Sequence, residues 1–353
     1  MATSRKSRKK TSSVQTAQIY TTATGTVIKN TGSNFVVLTG DGNEISCRIK
    51  GNFRLKGIRT TNPIAVGDIV DITVNTDGSA YITNIHLRKN YIIRKASNLS
   101  KEASILAANV DQACLVVTLK HPATSTTFID RFLATSEAYR VPTAIIINKV
   151  DLLDNDRPYT ADDDEPVESP IGEDCTEREL LEAVTYLYTS IGYKVIHVSA
   201  RTGEGIDELS RLLADKITLI AGNSGVGKST LINRLIPGLD LKTAQISDVH
   251  DTGMHTTTFS EMFPLPDGNG WIIDTPGVRG FGTIEFDPKE VSHFFPEIFR
   301  LSRDCRYGDC THTHEPQCAV LDALRQNRIA PSRYNSYLSI LSDSEPDKYR
   351  KPF

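Results

Sequence analysis

No run of apolar residues in this 353-residue chain approaches the eighteen or so that a membrane-spanning helix needs, so no membrane partner is expected. The N-terminus, MATSRKSRKK, also lacks the apolar core of a secretory signal, and the expected location is the cytoplasm. No internal repeat recurs, and charge of neither sign dominates, since the formal net charge is -3. That balance hides an uneven distribution. Arg5, Lys6, Arg8, Lys9 and Lys10 open the chain and suit a polyanion such as RNA or a solvated tail, whereas residues 154–174 are strongly acidic and read as a disordered surface insertion. Cysteine is sparse too. Three of the six are scattered, while Cys305, Cys310 and Cys318 crowd together with His312 and His314 between them, which in a cytoplasmic chain signals a metal site rather than disulfides.

What is present divides the chain into four parts. Residues 1–20 form the basic tail. Residues 21–97 carry short β-rich runs broken by Asp41-Gly42 and Asp77-Gly78, dipeptides suited to hairpins, and predict a small β-barrel, an OB-fold first and an SH3-like barrel second. Over residues 98–284 the pattern changes to compact apolar runs alternating with amphipathic helices, the mark of a doubly wound α/β domain, with TTTFSEMFPL as a candidate antiparallel edge strand. Residues 285–353 predict helices, PKEVSHFFPEIFRLSR among them, around a metal knot in a segment too small to hold a core unaided.

Between the strand-like KITLIAG and the helix-like STLINRLI lies GNSGVGKST, residues 222–230, in the context a phosphate-binding loop requires. Gly222, Gly225 and Gly227 free the backbone to turn its N–H groups toward a phosphate at a helix N-terminus, with Asn223, Ser224, Val226 and Thr230 completing the loop. Lys228 adds a point charge toward the β- and γ-phosphates, and Ser229 is the expected Mg²⁺ ligand. Such loops take ATP as readily as GTP, so the base must be read elsewhere. NKVD, residues 148–151, ends an apolar strand. Asp151 can accept both guanine N–H groups in a fork that adenine cannot offer, Asn148 can donate to the purine edge, and the Lys149 stem can cover the base. Ser199-Ala200 presents a backbone N–H for the guanine carbonyl.

The γ-phosphate side has its own elements. WIIDTPG places Asp274 to hold Mg²⁺ through water and Gly277 to sense the γ-phosphate. One of Thr256, Thr257 and Thr258 should complete the Mg²⁺ shell, and Thr257 is the expected one. Many GTPases orient the attacking water with a glutamine after the DxxG glycine, but this chain has Val278, so His255 becomes the candidate catalytic group. CRYGDCTHTHEPQC reads C-x4-C-x-H-x5-C, giving Cys305, Cys310, His312 and Cys318 for one structural Zn²⁺ with no open position, His314 being the alternative imidazole.

These elements run in the order base reader, Ser-Ala loop, phosphate loop, threonine switch, DTPG switch. That order, with a barrel before it and a Cys/His cluster after it, resembles the circularly permuted GTPases of the RsgA/YjeQ family over nearly the whole chain. The resemblance implies a permuted α/β P-loop GTPase domain between an OB-fold barrel and a helical zinc-binding domain. It further implies hydrolysis of GTP to GDP and phosphate, stimulated by the small ribosomal subunit, in a late-stage biogenesis factor that binds its rRNA. It favours His312 over His314 as the zinc ligand and implicates His255, of the GxHTTT motif, in hydrolysis. Two departures stand out: Met254 where relatives often carry a basic residue, and the acidic insertion after Asp151. The other readings are a nucleotide-gated RNA-binding switch with little catalysis, to which Val278 points, and an ATP-dependent P-loop domain, which Asn148 and Asp151 disfavour. A monomer is expected.

Overall fold

The computed structural model describes residues 20–49, 63–95, 103–154, 156–159, 175–241, 260–274 and 286–344. Five strands come first, β1 (Tyr20–Asn30), β2 (Phe35–Thr39), β3 (Glu44–Ile49), β4 (Ile69–Asn75) and β5 (Ala80–Ile85). They close into a barrel because β1 pairs antiparallel with both β2 and β4, while β3 runs parallel to β5, the strand order of an OB-fold. Alternation places Val27, Phe35, Val37, Val70, Ile72 and Ile82 inside as the barrel core.

A ribbon of β6 (Tyr91–Lys95) and β7 (Ala103–Ala108) joins the barrel to the α/β domain. Gly67 makes this junction possible. Its φ is +90°, and a Cβ there would stand 2.1 Å from the Ala108 carbonyl oxygen, so only glycine fits.

The α/β domain contains β8 (Gln112–Val117), α1 (Thr126–Ala138), β9 (Thr143–Ile147), α2 (Glu177–Ile191), β10 (Lys194–His197), α3 (Ile206–Leu213), β11 (Ile217–Ala221), α4 (Lys228–Leu235), β12 (Glu261–Pro264) and β13 (Trp271–Asp274). The sheet order is β10-β9-β8-β11-β13-β12, parallel except for β12. All of β8 is buried, as strands covered on both faces must be. Helix α2 begins with a capping box, Thr176 accepting from the Glu179 N–H while Glu179 accepts from the Thr176 N–H in return.

β12 is antiparallel, as expected, but it is not an edge. β1 of the barrel pairs with it through Lys29 and Glu261, whose side chains form an ion pair of 2.7 Å, and the barrel and α/β sheets become one 11-stranded sheet. A shift of register between Val27 and Lys29 lets β1 serve both. Val27 faces the barrel core, and Ile28 packs into the α/β core.

The C-terminal lobe has α5 (Pro296–Ser302), α6 (Ala319–Arg325) and α7 (Pro331–Ser344) around Phe295, Ile298, Val320 and Tyr337. The helix expected over PKEVSHFFPEIFRLSR is divided. A 3₁₀ turn covers Val291–Phe294, and Phe295 turns extended, at φ -117° and ψ 95°, because the residue before a proline is pushed out of the helical region. No helix among the described residues is long and apolar enough to cross a membrane.

Candidate functional site

Three described loops and the end of β13 meet at the C-terminal ends of the parallel strands, where doubly wound sheets bind ligands. The loops follow β9 (residues 148–151), β10 (199–201) and β11 (222–228), and β13 ends on Asp274. Strand order in space, not in sequence, makes these neighbours: β11 lies between β8 and β13, so the loop after it sits between the other sets.

Asn148 is the link. Fully buried, it donates from Nδ2 to the Val226 carbonyl at 2.8 Å and accepts at Oδ1 from the Ala200 N–H at 3.2 Å, which ties the glycine-rich loop to the Ser-Ala loop. The closeness explains Gly227, at φ +89°, where a Cβ would come within 2.6 Å of Asn148 Nδ2. Asp151 is held from both sides. Oδ1 accepts from Ser199 Oγ at 2.6 Å, and Oδ2 meets Arg201 Nε at 3.0 Å. Ser199 Oγ in turn accepts from the Thr202 N–H. Lys149 sits at φ +63° and donates to the His121 carbonyl, and half-burial lowers its pKa against the opposing charge of Asp151. Asn148, Lys149, Asp151, Ala200, Gly227 and Thr230 line a cleft of about 220 Å³.

In the glycine-rich loop, Gly222 and Gly225 both have positive φ, and a Cβ on Gly222 would collide with the Val116 carbonyl oxygen at 2.3 Å. Asn223 is half-buried, Ser224 is exposed and Val226 is fully buried. Lys228 opens α4 with its ammonium folded back onto the Gly222 and Asn223 carbonyls at 2.7 and 2.8 Å. Burial lowers its pKa to about 8, opposed by the carboxylate of Asp274, itself buried at the end of β13. Ser229 is half-buried beside it. His255, Thr256, Thr257, Thr258, Gly277 and Val278 lie outside the described residues. Sequence reasoning missed Arg201 and Leu152, which also line the cleft, and His121-Pro122, whose ring approaches Gly225. Arg201 carried a signal, standing directly after Ser-Ala.

The second cluster gathers Cys305, Cys310, His312 and Cys318, whose ligand atoms all lie within 4.8 Å of one another. His312 Nδ1 is 3.6 Å from Cys305 Sγ and 3.5 Å from Cys318 Sγ, and the two sulfurs are 3.9 Å apart. A tetrahedron with metal–sulfur bonds of about 2.3 Å has edges of about 3.8 Å, so the donor set fits a metal ion without rearrangement. His314 points elsewhere, its Nδ1 bonded to Thr313 Oγ1 at 2.8 Å. The Glu315 carboxylate accepts from Thr311 Oγ1 and from the Thr311, Thr313 and His314 N–H groups; against its burial, the Thr311 hydroxyl first and then the backbone donors hold its pKa well below the usual carboxylate range, while Tyr334 and Tyr337 donate to the His312 and Thr311 carbonyls. These contacts set the knuckle's backbone from outside the ligand shell.

The fold and the loop cluster define a P-loop GTPase domain in permuted order, carrying an OB-type barrel and a helical lobe with a Cys₃His cluster that could hold a metal. The chain belongs to the RsgA GTPase family: that family's model matches residues 85–284, and the RsgA N-terminal domain matches residues 24–82. It is 56% identical to the small ribosomal subunit biogenesis GTPase RsgA of Bacteroides fragilis, covering 93% of this chain and 99% of that protein. Identity is 46% to the same-named protein of Flavobacterium johnsoniae, over 93% and 95% of the two chains. Among solved structures it resembles YjeQ from Thermotoga maritima, with TM-score 0.69 and 32% identity over 94% of this chain and all of that one. It also resembles YloQ, a circularly permuted GTPase, with TM-score 0.65 and 26% identity over 94% and 98%.

Proposed function

We propose that this protein is a GTPase acting in the cytoplasm on the small ribosomal subunit, whose rRNA it binds and which stimulates its turnover during late maturation. The bridge made by Asn148 carries the reading, because it joins a phosphate loop to a slot in which Asp151 faces a base-sized cleft. In that slot Asp151 accepts the two guanine N–H groups, Asn148 and the Ala200 N–H meet the opposite edge, and Lys149 covers the ring. Gly222 to Thr230 wrap the phosphates, with Lys228 moving from its two carbonyls to phosphate oxygens. Ser229, Thr257 and Asp274 are assigned to Mg²⁺, which when bound with GTP neutralises charge on the β- and γ-phosphates. Gly277 senses the γ-phosphate and His255 orients the attacking water.

The test is multiple-turnover phosphate release by the protein alone, with small subunits, and with large subunits or excess ATP as controls. Strong stimulation by small subunits alone, undiminished by ATP, is the expected result; equal stimulation by large subunits would refute the assignment. Val278 favours a second reading, a switch whose catalysis is negligible, and the same assay separates the two. His255→Ala is expected to lower subunit-stimulated kcat by on the order of 100-fold with GTP affinity unchanged, and full turnover would remove histidine from the chemistry.

Cys305, Cys310, His312 and Cys318 are assigned to one structural Zn²⁺, which cross-links a lobe whose knuckle has little core of its own. Metal analysis of the wild-type protein should give about one zinc per chain, and Cys318→Ser far less. An equal loss on His314→Ala would move the imidazole assignment.

A further inference from the structure

Helix α5 turns one face inward. Glu297 is buried there against Arg333, so its charge is spent inside the lobe and does not neutralise the outer face. Arg300 stands exposed near the end of α5, and Arg303 and Arg306, also exposed, follow in the turn beyond Ser302. None of the three makes an ion pair with a described residue, although Asp304 and Asp309 are exposed nearby; Arg300 donates to the Ile191 carbonyl and Arg306 to Gln317 Oε1, both at 3.2 Å. Two lie over aromatic rings instead. The Arg303 guanidinium is 5.5 Å from the centroid of Phe299, and that of Arg306 is 5.5 Å from Tyr307, a side chain 41% exposed. His293, also exposed, packs edge-on against Phe299 at 4.9 Å.

Exposed arginines left without carboxylates mark a surface for a polyanion, but the rings narrow the choice. An exposed guanidinium held over an aromatic ring puts a cation beside a π surface, where a base can stack while phosphates meet N–H groups that no carboxylate occupies. Duplex RNA keeps its bases stacked inside and offers only backbone to such a surface, whereas an unpaired strand offers base faces. An acidic protein segment would use the charges and leave the rings idle. We propose that the surface at the C-terminal end of α5, through Arg303 over Phe299 and Arg306 over Tyr307, binds an unpaired stretch of RNA by stacking its bases. This deepens, and rests on, the reading of the protein as a factor that acts on ribosomal RNA.

The test uses the full zinc-loaded chain and the fluorescence anisotropy of a short unstructured RNA, with a blunt duplex for comparison. The variants are Arg303→Ala with Arg306→Ala, and Arg303→Lys with Arg306→Lys; Arg178→Ala, an exposed arginine on α2, is the control. The alanine pair is expected to weaken single-strand binding by about fivefold or more, and the lysine pair by about threefold despite unchanged charge, with duplex binding and the control nearly unaltered. Unaltered single-strand binding overturns the proposal, as does full affinity in the lysine pair or an equal loss toward duplex. Normal RNA binding with lost subunit stimulation assigns the face to a protein partner and also overturns it. Zinc content and subunit-free turnover report on folding. Because the RNA assay needs no ribosome, its failure is distinct from a wild-type protein that small subunits do not stimulate, which refutes the functional reading itself.

Discussion

Asp151→Asn is expected to lower the affinity for GTP and GDP by about 100- to 1,000-fold while leaving the fold intact. Guanine presents two N–H groups to this carboxylate, and hydrogen bonds to a charged acceptor are worth about 1.5–3 kcal/mol each. An asparagine keeps one acceptor oxygen and sets an N–H₂ against the other donor. The surroundings decide which way the amide turns: Ser199 Oγ donates to one Asp151 oxygen at 2.6 Å, and Arg201 Nε approaches the other at 3.0 Å. With its N–H₂ toward Arg201 the amide faces a donor with a donor, so the N–H₂ turns toward Ser199, whose hydroxyl then accepts instead of donating. Xanthine nucleotides carry an acceptor where guanine has its amino group, and they should gain on the variant what guanine loses. Displacement of a fluorescent GDP by GDP, XDP and ADP measures all three. Undiminished GDP affinity would show that Asp151 does not read the base, and equal gains for ADP would show loss of selectivity without reversal.

The glycine-rich loop, NKVD and the cysteine-histidine cluster were legible as groups because each is a short local pattern of fixed spacing, and the fold gathers each where the pattern placed it. The barrel and the permuted α/β domain were legible from periodicity and from the order of those patterns. Contacts between distant segments were not. Nothing in Lys29 or Glu261 announces that a barrel strand extends the α/β sheet, since cross-strand pairing leaves no trace in either segment alone. Arg201 was not singled out, and it is mostly exposed, yet one of its nitrogens reaches Asp151. Pro296 was a missed signal of another kind, readable in the sequence as a helix break but absorbed into a longer amphipathic stretch. The acidic insertion was read only by composition. Its two ends are pinned together by a bridge between Pro158 and Thr176, with Tyr159 and Cys175 buried in the α/β core, so it departs from a fixed base beside the Asp151 loop.

Arg333 is the contact that sequence concealed most completely, and its loss should be the costliest single change outside the ligand sites. Fully buried on α7, it grips both Glu297 oxygens at 2.6 and 3.0 Å and Asp130 Oδ1 of α1 at 2.7 Å, with its guanidinium 4.7 Å from the Phe295 centroid. Tyr188 of α2 donates to the same Asp130 oxygen. The next residue, Tyr334, holds the knuckle backbone at His312, so one turn of α7 connects the Cys/His cluster to the α/β domain. Arg333→Met removes the cation and strands two carboxylates in the interior, which costs about 3–5 kcal/mol. Hydrogen exchange should detect this as a loss of protection in α7 of about 100-fold, with less change in β8 and β11. Adding Asp130→Asn and Glu297→Gln should recover most of the loss, because both amides remain acceptors without requiring a counter-charge. If the triple variant is no better than Arg333→Met, packing against Phe295 rather than charge accounts for most of what Arg333 contributes. Residues 275–285 separate Asp274 from the lobe, and on the proposed reading a nucleotide response passed along that stretch would act on a body already fastened to α1. The lobe can then follow the nucleotide only as α1 does, and a weakened Arg333 should free it. Nucleotide-dependent exchange in α5 and α6 is therefore expected to be larger in Arg333→Met than in the wild-type protein, and equal responses would show that the anchor does not govern the motion.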